Sequence, residues 1–270
     1  MYSGLTITRL SGSILGAHQK IDRVARRHIE QLDPHCRFPD INAILHFEGV
    51  NGPDAIKRKS PSKDEPWHFL QPFDNKDTQL IDIINQHYKQ LVTSLKKGDQ
   101  IRAAFDSAWL AHAIVDGLTP AHHYPYEKEL IKLRGEGIET RTTIKEKLFI
   151  GGETTFDTLA KNWHMWGTKG LMTTHGSFEI GVAMISAPRR FKRMATPSEE
   201  DLRIAQDKGI LTLFKGVAKD IDSLHMYQNY YRLGWTKKLI REVRLELMPA
   251  IIKLVVIAWY LAILESSRAT

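Results

Sequence analysis

Residues 99–123 constrain this chain more than any other stretch. After Asp99 and Gln100, the residues Ile101, Ala104, Phe105, Ala108, Trp109, His112, Val115 and Asp116 recur at helical spacing along one broad face, and Gly117 and Pro120 then stop the run. The face is apolar and calls for burial, yet it carries an imidazole and a carboxylate four residues apart that project from it together. Burying that pair without partners is costly. Two arrangements resolve the cost: a hydrogen-bonded helix pair, or a divalent cation held by both, with His122 beyond the helix end as a further ligand.

Two more pairs share the same spacing. His18 and Asp22 lie on one face of a helix expected over Leu15–Leu32, and His175 and Glu179 on one over Leu171–Ser186. The first pair reads as a surface feature or a support to ligands elsewhere, whereas the last strengthens the metal reading. With a single cysteine, Cys36, there is no internal disulfide framework and no cysteine-rich zinc module, so a metal must be held by His, Asp and Glu. Twelve histidines supply the means.

The remaining stretches read as helices and loops. Pro39 and Asp40 open a short helix running to Phe47, for which Asp40 is a candidate cap. Glu48 to Pro66 is a long Gly/Pro-rich loop leading to His68, which sits between Trp67 and Phe69 either as a satisfied core histidine or as a ligand. Helices are expected over Asp77–Lys97 and Thr154–Trp166, the latter with His164 packed between tryptophans; Glu127–Gly152 reads as short surface helices with loops. From Ser198 to Tyr231 the chain reads as helical with breaks at Gly209 and Gly216, and Trp235 to Leu264 as one last helix kinked at Pro249. No strand alternation or repeat is evident. The fold class expected is all-α, one domain over residues 1–270, with C-terminal helices over 196–265.

Composition adds less. At 270 residues and 42% hydrophobic the chain can bury a substantial core, and a net charge of +7 favours a polyanionic partner, with local runs at Lys57–Lys63 and Arg189–Arg193 that also read as solvated loops. The N-terminal stretch has neither a basic start nor a sustained apolar run, so it is read as made without a secretory signal, which places the chain in the cytoplasm by sequence. The apolar run Ala250–Leu264 is shorter than the roughly 18 residues needed to span a bilayer and is expected to be a core helix, with peripheral membrane contact as the alternative.

Taken in order, His18, Asp40, His68, His112, Asp116, His122, His175 and Glu179 resemble the ligands of the zinc-dependent phospholipase C family, to which the single-strand-specific zinc nucleases are related. The specific part is His112-x3-Asp116-x5-His122 followed by His175-x3-Glu179, and the likeness runs over residues 15–185. It implies an all-helical fold around as many as three zinc ions. Asp40, His68, His112 and Asp116 would hold one; His122, His175 and Glu179 a second; Asp116 would bridge to a third shared with His18. It also implies hydrolysis of a phosphodiester by zinc-activated water, with Asp40 as the candidate base. The family is commonly secreted.

Two features depart from that pattern. The family completes the third zinc with the amine of an N-terminal tryptophan, whereas this chain begins Met1-Tyr2; the expectation is that Asp22 substitutes, or that the third site is weak or empty. The interval from Asp40 to His68 is also wide, which makes Asp54 and His46 competitors of Asp40. The function expected is phospholipase C-type cleavage of a phospholipid head group. A nuclease, with Trp163 and Trp166 stacking on bases, is the second reading; a helical metal-binding or membrane-associated scaffold is the third. His123 is assigned no role, and head group and oligomeric state are open.

Overall fold

The computed structural model describes residues 1–2, 16–49, 51–57 and 59–268. Leu15 and Arg58, which belong to an expected helix and an expected basic run, lie outside them. The helices are α1 (Ala17–Leu32), α2 (Ile41–Glu48), α3 (Pro53–Ile56), α4 (Gln79–Lys97), α5 (Gln100–Gly117), α6 (Tyr126–Arg134) and α7 (Ile144–Leu148). They continue with α8 (Thr155–Trp166), α9 (Leu171–Ser186), α10 (Glu199–Lys208), α11 (Ile210–Asp222), α12 (Met226–Leu233), α13 (Lys237–Glu242) and α14 (Met248–Ser267). Among the described residues there is no strand, and the all-α expectation holds.

The core forms around α5. Asp99 caps its start by accepting a hydrogen bond from the Arg102 amide at 2.9 Å, and the helix is buried almost all round from Ala103 to Gly117. It packs against α4, which ends in an αL turn at Gly98 (φ 69°), and against α1, α2 and α14. Ala-rich positions bring these helices close. At Gly117 the approach is closer still: a Cβ there would sit 2.5 Å from the Phe214 ring of α11 and 2.8 Å from Leu80 of α4. The chain therefore needs a glycine directly after Asp116, so the helix end that carries the polar pair is wedged in place.

The apolar C-terminal run is a core helix, as expected. Lys237–Ser267 is the one helix among the described residues long and apolar enough to cross a membrane, and it is largely buried inside the fold. Trp259, fully buried on α14, donates its indole N–H to the Ser107 carbonyl of α5 at 3.1 Å. Instead of a kink at Pro249, the turn before it widens into a π-helix over Val243–Leu247. Proline lacks an N–H and its ring crowds the carbonyl four residues back, which is Leu245; the wider turn absorbs both effects.

Smaller corrections follow the same logic. The break between α10 and α11 falls at Gly209 (φ 75°), but α11 runs through Gly216 and ends before His225 (φ 51°). Glu127–Gly152 contains most of α6 and all of α7, and α6, Ile150 and α8 share a separate small apolar cluster of Tyr126, Leu130, Ile150 and Met165. His164 is exposed rather than packed between its tryptophans.

Candidate metal centre

Six segments deliver polar side chains to the C-terminal end of α5. α1 supplies His18 and Asp22, the last residue of α2 is Glu48, α3 carries Asp54, and α9 carries His175 and Glu179. Beyond Gly117, the break anticipated at Thr119-Pro120 becomes a short 3₁₀ turn, Pro120–His123, which turns His122 back toward Asp116. The strap bearing His68 is tied to this turn by the Leu70 amide, which donates to the His122 carbonyl at 3.1 Å. Tyr2 accepts from the Ala17 amide at 2.8 Å, and this places Met1 at the start of α1 and inside the cluster.

Two groups of donor atoms result. His18, His112 and Asp116 offer one atom each within 4.8 Å of one another, and so do His122, His175 and Glu179. Asp116 touches both: its Oδ1 lies 3.2 Å from His18 Nε2 and 3.5 Å from His122 Nδ1, and its Oδ2 lies 3.1 Å from His112 Nε2. Glu179 Oε1 is 2.8 Å from His122 Nε2 and 3.2 Å from His175 Nε2. The rings stack in pairs, His18 on His112 at 4.1 Å and His122 on His175 at 5.1 Å, and the His68 ring stands 5.1 Å from His122.

Hydrogen bonds account for only part of this packing, such as those of His122 Nε2 with Glu179 and of the Met1 amine with Asp116. Both ring nitrogens of His18, the Nδ1 atoms of His122 and His175, and Asp116 Oδ2 are buried without a hydrogen-bond partner. Each such atom carries a desolvation cost of about 1–3 kcal/mol when left unmade. Close N···O approaches without hydrogen-bond alignment are what donors aimed at a common cation produce, and a His/carboxylate set suits a divalent transition metal. The residues present fit a metal.

The electrostatics point the same way at Asp116, Glu179, His68 and His122. At His112, by contrast, burial is outweighed by the charges of Glu48 and Asp116, which raise the imidazole well above its usual value. Burial by itself would raise Asp116 and Glu179, but the Met1 amine and the surrounding imidazoles outweigh it and hold both carboxyls well below their ordinary range. His68 is pushed well below the usual imidazole value by burial, then by Lys57 and His122, and His122 is lowered to about 4 by burial and by the Met1 amine. Neutral imidazoles and ionised carboxylates are the forms that bind cations.

The structure corrects several expectations. Asp40 is exposed and caps α2, accepting from the amides of Asn42 at 2.8 Å and Ala43 at 3.1 Å. The cluster meets the other end of that helix, about 12 Å away at 1.5 Å per residue, so Asp40 is neither ligand nor base. The carboxylate beside His112 is instead Asp54, with Oδ1 3.8 Å from Nε2, and it is also ion-paired with Lys57. His46 is exposed and bonded to Asn51. Asp22 is fully buried but belongs to neither donor group; burial, then the charge of Glu48, raises its pKa well above the usual range. The position proposed for it is taken by the Met1 nitrogen, 2.7 Å from Asp116 Oδ1 and 3.2 Å from Glu179 Oε1. An amine reaches the cluster with no tryptophan, because the nitrogen is a backbone atom.

Glu48 is the residue that the sequence reading passed over. It is fully buried and accepts from His112 Nδ1 at 3.0 Å, leaving Nε2 as the free ligand atom. Its one sequence signal is its place at the last position of a helix, ahead of glycine. His123 also gains a role: it bridges the Gly117 carbonyl at 2.9 Å and Asp222 Oδ1 at 3.1 Å, bonding the turn to α11.

A cavity of about 510 Å³ opens beside the second group, lined by His68, His175 and Glu179 and by the cations Lys57, Arg141 and Lys147. Arg141 and Lys147 are fixed by Glu127 and Glu65 respectively. Comparison with known protein families, curated proteins and solved structures finds no match to this chain.

Proposed function

We propose that this chain is a metal-dependent phosphodiester hydrolase of the zinc phospholipase C type. The observation that carries the reading is the convergence of two His/carboxylate groups, joined by Asp116, at buried atoms that lack hydrogen-bond partners. His18, His112, Asp116 and Asp54 would hold metal on one side; His122, His175 and Glu179, with His68 near, would hold it on the other. A bound divalent cation supplies charge neutralisation for a phosphoryl group and makes water a stronger acid.

The protein's own residues set up the rest. Glu48 fixes the tautomer and orientation of His112. Lys57 is kept protonated: burial opposes its charge, but Asp54 and Asp116 more than compensate, so the cavity wall presents a fixed cation to phosphoryl oxygens. Arg141 and Lys147 are held too tightly by their carboxylates to swing away.

A lipid substrate is favoured over nucleic acid by the surface around the cavity. Ile144 and Leu148 line it and are themselves exposed. Beside them Phe149 and the α8 residues Phe156, Leu159, Trp163 and Trp166 are also exposed, Trp163 by 66%. The four α8 side chains fall within an arc of about 80° at 100° per residue, and Trp166 Nε1 donates to the Leu148 carbonyl at 2.7 Å, joining α8 to α7. Base stacking needs aromatic rings alone; here Ile144, Leu148 and Leu159 are interleaved with Phe149, Phe156, Trp163 and Trp166 in one apolar surface, which suits acyl chains.

The test is metal analysis of the full chain together with turnover of a soluble phosphodiester, in the parent and in His112→Ala. Zinc in the parent, with turnover falling about a thousandfold and metal lost in the variant, is expected. Bound metal without turnover would assign a scaffold. Faster cleavage of single-stranded nucleic acid than of phospholipid vesicles would assign the nuclease reading.

A further inference from the structure

A second charged site stands apart from the metal centre. The run Arg189–Arg193 was read from sequence as a basic patch or a solvated loop, and the fold turns it toward α13. Phe191 adopts a left-handed conformation (φ 48°) with its side chain 6% exposed, and its carbonyl lies 3.4 Å from Nε2 of buried His28. The buried ring anchors the bend, and the neighbouring cations are left exposed on either side. Arg189, Arg190 and Lys192 thereby face Lys237, Arg241 and Arg244 across a cleft of about 650 Å³ with no carboxylate in its lining.

None of these six side chains has an ion-pair or hydrogen-bond partner among the described residues, and the Nε of half-buried Arg244 is itself buried without an acceptor. Acids on the adjoining elements are engaged or turned elsewhere: Glu242 pairs with Lys238, Asp201 with Lys253, and Glu246 lines a neighbouring cavity. Guanidinium groups without counter-ions offer forked donors matched to phosphate or carboxylate oxygens.

That neighbouring cavity, about 400 Å³, shares Met194 and Leu245 with the cationic cleft. Its walls include Ile204, Leu213, Val217 and Ile257. Of the acids in its lining, Asp201 is already paired with Lys253 and Glu246 is exposed. A cationic compartment adjoining a mainly apolar one is complementary to a molecule with an anionic head and a hydrocarbon chain. Both compartments are of small-ligand size, which argues against a flat polyanion surface.

We infer that the cleft between the 189–194 loop and α13 binds an anionic amphiphile, its phosphate or carboxylate on the Arg/Lys set and its chain along the groove between α10, α11 and α14. The inference is independent of the reaction proposed above.

The test is calorimetric titration of the full-length chain, kept in EDTA so that the metal centre does not compete, with octyl phosphate below its micellar range and with inorganic phosphate. Saturable binding of octyl phosphate is expected, roughly tenfold or more tighter than that of phosphate. Arg241→Gln with Arg244→Gln should weaken both about tenfold. Ala250→Trp, which fills the groove, should weaken octyl phosphate and leave phosphate unchanged. As a check that needs no change in a helix, Arg190→Ala with Lys192→Ala should act like the α13 pair. A free head group that binds as well as the amphiphile would overturn the chain compartment. Octyl phosphate binding unaffected by either charge pair would overturn the site, as would loss of single-stranded RNA binding in those variants without loss of octyl phosphate.

Discussion

The C-terminal end of α5 and the outer face of α8 break the ordinary rule of burial in opposite directions. At α5, histidines and carboxylates sit in the interior, several of their atoms without a hydrogen bond; at α8, phenylalanine, leucine and two tryptophans sit in water. Either departure alone has a structural excuse, since a buried pair can be bridged by water and a lone exposed apolar residue is common. Here both lie beside one cavity without lining it themselves: its wall holds His175 and Glu179 of α9, which belong to the cluster at α5, and Ile144 and Leu148 of α7, to which Trp166 of α8 is bonded. A polar interior suits a metal and a phosphoryl group, and an apolar surface beside it suits the substrate's chains. The difference teaches that this chain gathers buried polar groups at one end of α5 and leaves an apolar surface on α8, which on the proposed reading are the places for the reaction and for the lipid.

The comparison is most exposed at Glu48. Glu48→Gln keeps the size of the side chain and removes the charge that orients His112, so metal affinity should fall about 10–100-fold by calorimetry, with the thermal transition of the metal-free chain little changed. An unchanged affinity would mean that the interior polarity is not arranged for a cation. On the other side, Phe156→Ala with Trp163→Ala should weaken flotation with phospholipid vesicles by roughly tenfold or more, because each ring buries about 1.5–3 kcal/mol of apolar surface. Turnover of a soluble phosphodiester should not change; if it falls equally, α8 supports the cavity and does not dock.

Two smaller effects separate position from chemistry. Gly117→Ala forces a methyl into Phe214 and Leu80 and should cost about 1–3 kcal/mol in denaturant unfolding, because both neighbours are fully buried and have nowhere to go. Asp40→Ala should cost only about 1 kcal/mol, the loss of a helix cap, with metal content and turnover unchanged. Loss of metal in that variant would restore Asp40 as a ligand.

Much of the site was legible because helical spacing is local. The pairs His112/Asp116 and His175/Glu179 needed only the period of a helix, and His122 only the recognition that Gly117 and Pro120 end one. The C-terminal run was expected in the core because it looked too short for a bilayer, yet its helix is long enough to cross one; its burial against α5 and the other helices is what makes it a core helix. Asp40 was misread because a carboxylate ahead of an apolar run serves equally as cap or ligand, and which it does depends on the end of α2 that faces the cluster.

What remained was settled by packing between segments distant in sequence. Glu48 becomes a partner of His112 across 64 residues, and the Met1 nitrogen meets Asp116 across 115; no periodicity relates such positions. The same holds for the exposed stripe of α8, whose spacing fits a core-facing helix as well as a surface one, and for the cationic cleft, where two basic segments become one compartment only once α13 is seated beside the 189–194 loop. Spacing along a helix determines which side chains share a face. Only the tertiary fold decides what that face meets, because burial and charge pairing depend on the whole surrounding shell.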